Sequence, residues 1–69
     1  MTTTININAV RSFMARIAAD NIDDCGEVNL TAMAEQSAQR FNLYEGIDQD
    51  IPEWVFDAAF WVAEKNGLL

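Results

Sequence analysis

Carboxylates are the main side chains of this sequence that could do chemistry, since it holds eleven Asp and Glu residues and no His. The acidic segment 20–27 is the densest group: Asp20, Asp23, Asp24 and Glu27. A calcium-binding loop needs oxygen ligands at positions 1, 3 and 5, Gly at position 6 and Glu at position 12. Counted from Asp20, these positions fall on Ile22 (3), Cys25 (6) and Thr31 (12), which do not fit. We therefore predict no metal site.

Nucleophilic catalysis needs a nucleophile together with a base that activates it. Cys25, Ser12 and Ser37 are candidate nucleophiles, but the chain has no histidine to serve as the usual base. One cysteine forms neither an internal disulfide nor a zinc set. No glycine-rich phosphate loop is present either. We expect no enzyme, no catalytic residues and no cofactor.

The elements that position these carboxylates are three predicted helices. Apolar residues recur at spacings of three and four, as in Val10, Met14 and Ile17, which is typical of amphipathic helices. Asn6 or Asn8 is expected to cap the first helix and Asn29 the second. The predicted helices cover about residues 7–21, 30–41 and 52–65. The fold prediction is a small all-α three-helix bundle with two acidic loops, forming one domain over residues 1–69.

The C-terminal helix is predicted to be central because it is apolar around most of its circumference. It carries four aromatic side chains and a narrow polar stripe; the aromatic residues are Trp54, Phe56, Phe60 and Trp61, and the polar ones Glu53, Asp57 and Glu64. By their helical spacing, Trp54 and Trp61 fall on one face together with Val55, Ala58 and Val62. Two interpretations of Phe56 and Phe60 stay open. They are either core residues packed by the loops or exposed anchors for a partner.

The segment 42–50 connects the second and third helices and is also acidic. Gly46 permits a turn. Its apolar residues Leu43, Tyr44 and Ile47 are expected to fold back onto the core. After the third helix, Gly67 is predicted to adopt the left-handed conformation that ends many helices.

Charge excludes several partners. Four basic residues against eleven acidic ones give a net charge of −7. This charge repels nucleic acid and anionic membranes, and it either favours a basic protein partner or only keeps the chain soluble. The N-terminus has no signal-peptide pattern, and the longest apolar run is about half a membrane span. With a free thiol, these features predict a cytoplasmic location, in a cell or in an infected host.

In size, charge and lack of catalytic residues, the chain resembles small acidic proteins with which phages and mobile elements block host defence, such as anti-CRISPR proteins and DNA mimics. The resemblance implies an inhibitor whose carboxylates take the place of nucleic-acid phosphates on a basic surface of a larger protein. The expected partner-binding residues are Asp20, Asp23, Asp24, Glu27, Glu45, Asp48, Asp50, Glu53, Phe56 and Phe60.

Two other functions remain as alternatives. One is a structural or adaptor module that forms a homodimer through its aromatic C-terminal helix. The other is a helix-turn-helix-like DNA-binding regulator. That motif joins its helices by a turn of three or four residues, whereas segment 42–50 is longer. Glu53, Asp57 and Glu64 on the would-be recognition helix would also repel phosphates.

Overall fold

Three helices form the framework of the protein. The computed structural model describes residues 6–69, in which α1 spans Ile7–Ala18, α2 spans Leu30–Phe41 and α3 spans Glu53–Lys65. A single 3₁₀ turn, Ala19–Asn21, extends α1 to the predicted end of the first helix. The three helices pack against one another, and residues 6–69 contain isolated β-bridges but no strand. The prediction of an all-α three-helix arrangement is confirmed. α2 has the predicted bounds, α3 begins one residue later than predicted, and the predicted end of the first helix is reached only with the 3₁₀ turn.

Asparagine side chains begin the first two helices. The side-chain oxygen of Asn6 accepts hydrogen bonds from the backbone N–H groups of Asn8 (2.9 Å) and Ala9 (3.4 Å). Asn29 does the same at α2, where it accepts from the backbone N–H of Ala32 at 3.0 Å. These bonds satisfy donors that have no partner within the helix. Asn6, and not Asn8, is therefore the cap of α1.

Residues in the left-handed conformation follow the C-terminal ends of α2 and α3. Asn42 (φ 54°) follows α2, and the N–H of Leu43 then donates to the carbonyl of Ala38 at 3.0 Å. Gly67 (φ 69°) follows α3, and the N–H of Leu68 donates to a carbonyl of α3 at 2.8 Å. Such ends turn the chain back over the helix and bring the next apolar residue to the core. Leu43 is buried and Leu68 is half-buried, as this geometry requires.

Small side chains dominate the core. Alanine lines the contact between helices, and two methionines fill the space that remains; the buried residues are Val10, Met14, Ala18, Met33, Ala34, Ser37, Ala38, Leu43, Pro52, Val55, Ala58, Ala59, Val62 and Ala63. Short side chains let helix backbones approach closely, but each buries little apolar surface. At the edge of the core, the rings of Phe13 and Phe41 meet edge to face, with centroids 5.7 Å apart.

α3 packs against both other helices, but only one side of it is buried. Val55, Ala58 and Val62 lie on the buried side. Trp54 is half-buried and Trp61 is 40% exposed, so the face that carries both tryptophans is only partly buried. Only two helices pack on α3, and alanines on its buried side leave the larger rings at the margin. None of the helices in residues 6–69 is long and apolar enough to cross a lipid bilayer.

The connection between α2 and α3, the second loop (residues 42–52), corrects one prediction. Leu43 and Tyr44 pack onto the core as expected. Ile47, which was expected to do the same, is 100% exposed. It sits at the tip of a turn that a β-bridge between Glu45 and Asp50 closes. Ile47 lies within this closed turn, where no other part of residues 6–69 covers its side chain.

Candidate protein-binding site

The outer side of α3 carries two exposed aromatic rings. Phe56 is 37% exposed and Phe60, one turn further along, is 51% exposed. At 100° per residue, Phe60 lies between Phe56 and a ridge of carboxylates on the same helix. That ridge consists of Glu53, Asp57 and Glu64, all of them exposed. The two rings therefore form an apolar strip with a negatively charged edge.

A groove of about 580 Å³ opens beside Phe56, between α2, the second loop and α3. Two carboxylates, two aromatic rings and two side-chain amides contribute to its walls; the lining residues are Glu35, Gln39, Tyr44, Gln49, Asp50, Ile51 and Phe56. We call it the Phe56 groove. It combines apolar surface with negative charge, as a site for a cationic group with an apolar stem would. No group of three or more potential ligands within residues 6–69 is arranged to hold a metal ion.

Backbone bonds hold the second loop in shape next to this groove. Glu45 and Asp50 exchange two hydrogen bonds, of 2.8 and 2.9 Å. Gly46 (φ 76°) and Gln49 (φ 55°) take the left-handed conformation that the turn requires. The side-chain amide of Gln49 donates to the carbonyl of Gly46 at 3.2 Å. The turn therefore holds Ile47 in solvent beside a cluster of carboxylates.

The first loop (residues 19–29), which joins α1 to α2, uses one of its carboxylates internally. Oδ1 of Asp23 accepts hydrogen bonds from the backbone N–H groups of Cys25 and Glu27, each at 2.9 Å. The backbone of Asp23 also pairs with that of Glu27, and Ile22 forms a β-bridge with Val28. Asp23 thus has a structural role that the sequence interpretation, which assigned it to partner binding, did not anticipate.

The two groups of predicted site carboxylates lie at opposite ends of α2. A helix of twelve residues is about 18 Å long, and the loops leave from its two ends. The first loop holds one group, made of Asp20, Asp23, Asp24 and Glu27. The second group consists of Glu45, Asp48, Asp50 and Glu53. All eight residues are exposed. Asp50 of the second group lines the same groove as Phe56, and Glu53 lies on the same helix as Phe56 and Phe60.

Several residues of this surface were missed by sequence reasoning. Glu35 and Gln39 are one turn apart on α2, and this i, i+4 spacing places them on one face. Only the packing of α2 against α3 brings that face to Phe56. The exposure of Ile47 did have a signal in the sequence. Gly46 and the polar residues that follow it mark a turn, and the centre of a turn is normally exposed.

The basic residues lie away from the Phe56 groove. The guanidinium of Arg11 lies over the ring of Trp61 at 4.2 Å, and Lys65 Nζ lies 5.8 Å from the same ring. Arg16 and Arg40 line a different groove, between α1 and α2. These are the four basic residues of the chain, and none of them lines the groove beside Phe56. The negative potential of the second loop and α3 is therefore not neutralised by a cation in that groove.

Comparison of the chain with protein-family models, with curated proteins and with solved structures gives no match. What the protein does is therefore inferred from its residues and their geometry alone.

Proposed function

We propose that the chain is a small protein-binding module that inhibits a larger protein by occupying its basic nucleic-acid-binding surface. One observation carries the proposal: Phe56 and Phe60 are exposed on α3 next to carboxylates, and the adjoining groove has no basic residue. Large rings buried in a partner's pockets supply most of the affinity of an interface. Complementary charges around them supply specificity and speed of association. An aromatic strip with an acidic edge fits a basic surface that contains apolar pockets.

Inhibition would follow from occupancy. Asp48, Asp50 and Glu53 would take the places of nucleic-acid phosphates and pair with lysine and arginine side chains of the partner. Ile47 and Phe60 would bury apolar surface that a nucleic acid cannot, which adds affinity beyond the charge contribution. Bound nucleic acid would then be excluded by both bulk and charge. This mechanism is that of phage anti-defence proteins such as anti-CRISPR proteins and DNA mimics, and it requires that the chain share a compartment with its target.

The first loop offers a second set of carboxylates for the same partner. The two loops are about 18 Å apart along α2, which equals roughly five base-pair steps of 3.4 Å. A groove that holds a short duplex or strand is long enough to contact both ends of the helix. Phe56 lines a groove together with the second loop, so that end would anchor the complex and the first loop would add electrostatic attraction.

The proposal is tested by capture followed by competition. Immobilised protein is incubated with lysate of the host cell at low salt, and bound proteins are eluted at high salt and identified. The captured protein is then purified, and its binding to nucleic acid is measured with increasing amounts of the chain. We expect stoichiometric displacement of the nucleic acid and weaker inhibition as salt rises. Nucleic-acid binding that persists when the captured protein is saturated with the chain would overturn the proposal.

A homodimer formed through α3 is the second candidate, because Phe60 exposes half of its surface. The acidic ridge argues against it. Symmetric pairing through this face would bring Glu53, Asp57 and Glu64 toward the same residues of the second copy. Light scattering on the purified protein decides between the two, with a monomer expected. A dimer that Phe60→Glu converts to a folded monomer, as judged by circular dichroism, would favour the structural module instead.

A further inference from the structure

We infer that the Phe56 groove binds an arginine side chain of the partner. This inference rests on the proposed function, in which the groove is part of the docking face, and it names the side chain that enters. An arginine has an apolar stem and a planar cationic head that carries five N–H donors. The groove offers surfaces for both parts: Ile51 and the rings of Tyr44 and Phe56 on one hand, and the carboxylates of Glu35 and Asp50 on the other.

The aromatic rings favour arginine over lysine. A guanidinium is planar and weakly hydrated, so it stacks on aromatic faces while it hydrogen-bonds at its edges. An ammonium group is compact and strongly hydrated, and loses more hydration in the same place. The chain itself contains both kinds of cation–ring contact, with Arg11 4.2 Å from the centroid of the Trp61 ring, Arg40 5.5 Å from that of Phe41 and Lys65 5.8 Å from that of Trp61; the closest of the three is an arginine. Tyr44 and Phe56 offer the same kind of ring in the Phe56 groove, and no arginine of the chain lines that groove.

The polar lining matches the donors of a guanidinium. Carboxylates at Glu35 and Asp50 accept charge-assisted hydrogen bonds, which are stronger than neutral ones. The amide of Gln49 uses its nitrogen to donate to the carbonyl of Gly46. Its oxygen is therefore the atom that can accept from a ligand in the groove. Acceptors thus outnumber donors on the groove wall, as a group with five donors requires.

The groove is large enough for an arginine side chain. About 580 Å³ lies within the range of about 300–1,000 Å³ that is usual for small-ligand sites. This space is larger than one arginine side chain, so water would share the groove with it. Neighbouring lysines of the same basic surface would meet Asp48 and Glu53 at the rim.

The experiment compares two peptides of equal charge, pentaarginine amide and pentalysine amide, by titration into ¹⁵N-labelled protein. We expect pentaarginine to bind about fivefold more tightly, with the largest amide shifts at Gln49, Asp50 and Phe56. Glu35→Gln should reduce that preference to less than twofold. Glu64→Gln, which removes the same charge at an exposed position of α3 outside the groove, should leave it unchanged. Phe56→Leu keeps an apolar side chain but removes the ring, and should also reduce the preference.

Equal affinity for the two peptides, shifts centred outside the Phe56 groove, or no binding at all would overturn the arginine site. These results leave the proposed function intact if the chain still displaces nucleic acid from its captured partner. Conversely, arginine-selective binding in the groove together with a partner that keeps its nucleic acid would support the site and contradict the inhibitory function. The two claims can therefore fail separately.

Discussion

An antiparallel bridge closes each of the two loops that flank α2, between Ile22 and Val28 in the first loop and between Glu45 and Asp50 in the second. Each turn also contains a glycine in the left-handed region, Gly26 with φ 84° in the first loop and Gly46 with φ 76° in the second. The loops share this backbone plan and an acidic composition. They differ in what their side chains do.

In the first loop a carboxylate stabilises the turn, and in the second loop the backbone and an amide do so. Asp23 accepts two backbone hydrogen bonds, so part of the negative charge of the first loop serves folding. In the second loop Gln49 bonds the turn, and the fully exposed Ile47 stands at its tip. Similar acidic composition therefore does not imply similar function. The second loop, which lines the groove beside Phe56, is the one that the proposed function assigns to the partner.

The largest expected effect is on the aromatic strip beside the second loop. Phe60→Ala should weaken binding of the captured partner by about 30-fold, which corresponds to about 2 kcal/mol, because the proposed function makes the exposed ring an anchor. Stability should fall by no more than about 1 kcal/mol, since half of this side chain is already exposed. Calorimetric titration and thermal unfolding measure the two quantities. A variant that binds as tightly as the wild type would exclude Phe60 from the interface.

The carboxylates of the two loops should respond differently to the same substitution. Asp23→Ala should lower the free energy of unfolding by about 1–2 kcal/mol, because two backbone N–H groups lose an acceptor. Asp48→Ala, at the exposed tip of the second loop, should change it by less than about 0.5 kcal/mol. Urea unfolding followed by circular dichroism gives both values. Equal destabilisation by the two substitutions would remove the structural distinction between the loops.

Each loop also has one exposed isoleucine, which provides a matched pair. Ile47→Ala should weaken partner binding about fivefold without loss of stability, because Ile47 contacts only solvent in the unbound chain. Ile22 is 37% exposed, so most of its side chain is buried. Ile22→Ala should therefore lower the free energy of unfolding by about 1 kcal/mol and leave the affinity for the partner unchanged. Binding and unfolding measured on both variants test the pair. The reverse pattern would assign recognition to the first loop.

A smaller effect is expected in the helix between the loops. Ser37 is fully buried in α2 and its hydroxyl has no hydrogen-bond partner within residues 6–69. Ser37→Ala removes the free-energy cost of burying an unpaired hydroxyl, and alanine has the higher helix propensity. We therefore expect the free energy of unfolding to rise by about 0.5–1 kcal/mol. Thermal unfolding measures the gain, and Ser12→Ala, at an exposed position of α1, is the control. A loss of stability would contradict the prediction and show that the hydroxyl has a hydrogen-bond partner.

The helices could be predicted from the sequence because their signals are local. Apolar spacing, Asn6, Asn29 and Gly67 act within a few residues of where they stand, and the structure follows them. What the sequence did not predict depends on tertiary packing. The exposure of Trp61 follows from the short side chains that fill the core, and the Phe56 groove exists only because α2 and α3 meet. The role of Asp23 depends on the exact bend of its loop, which charge counting does not reveal.

The most direct test of the central claim is the association rate of two charge-reversed variants with the captured partner at low salt. Asp48→Lys with Asp50→Lys reverses the second loop, and Asp20→Lys with Asp24→Lys makes an equal change in the first loop while leaving Asp23 in place. If the second loop and α3 form the docking face, reversal of the second loop should slow association by about tenfold or more, and reversal of the first loop by much less. Equal rates for the two variants, or slower association only for the first-loop variant, would contradict the claim.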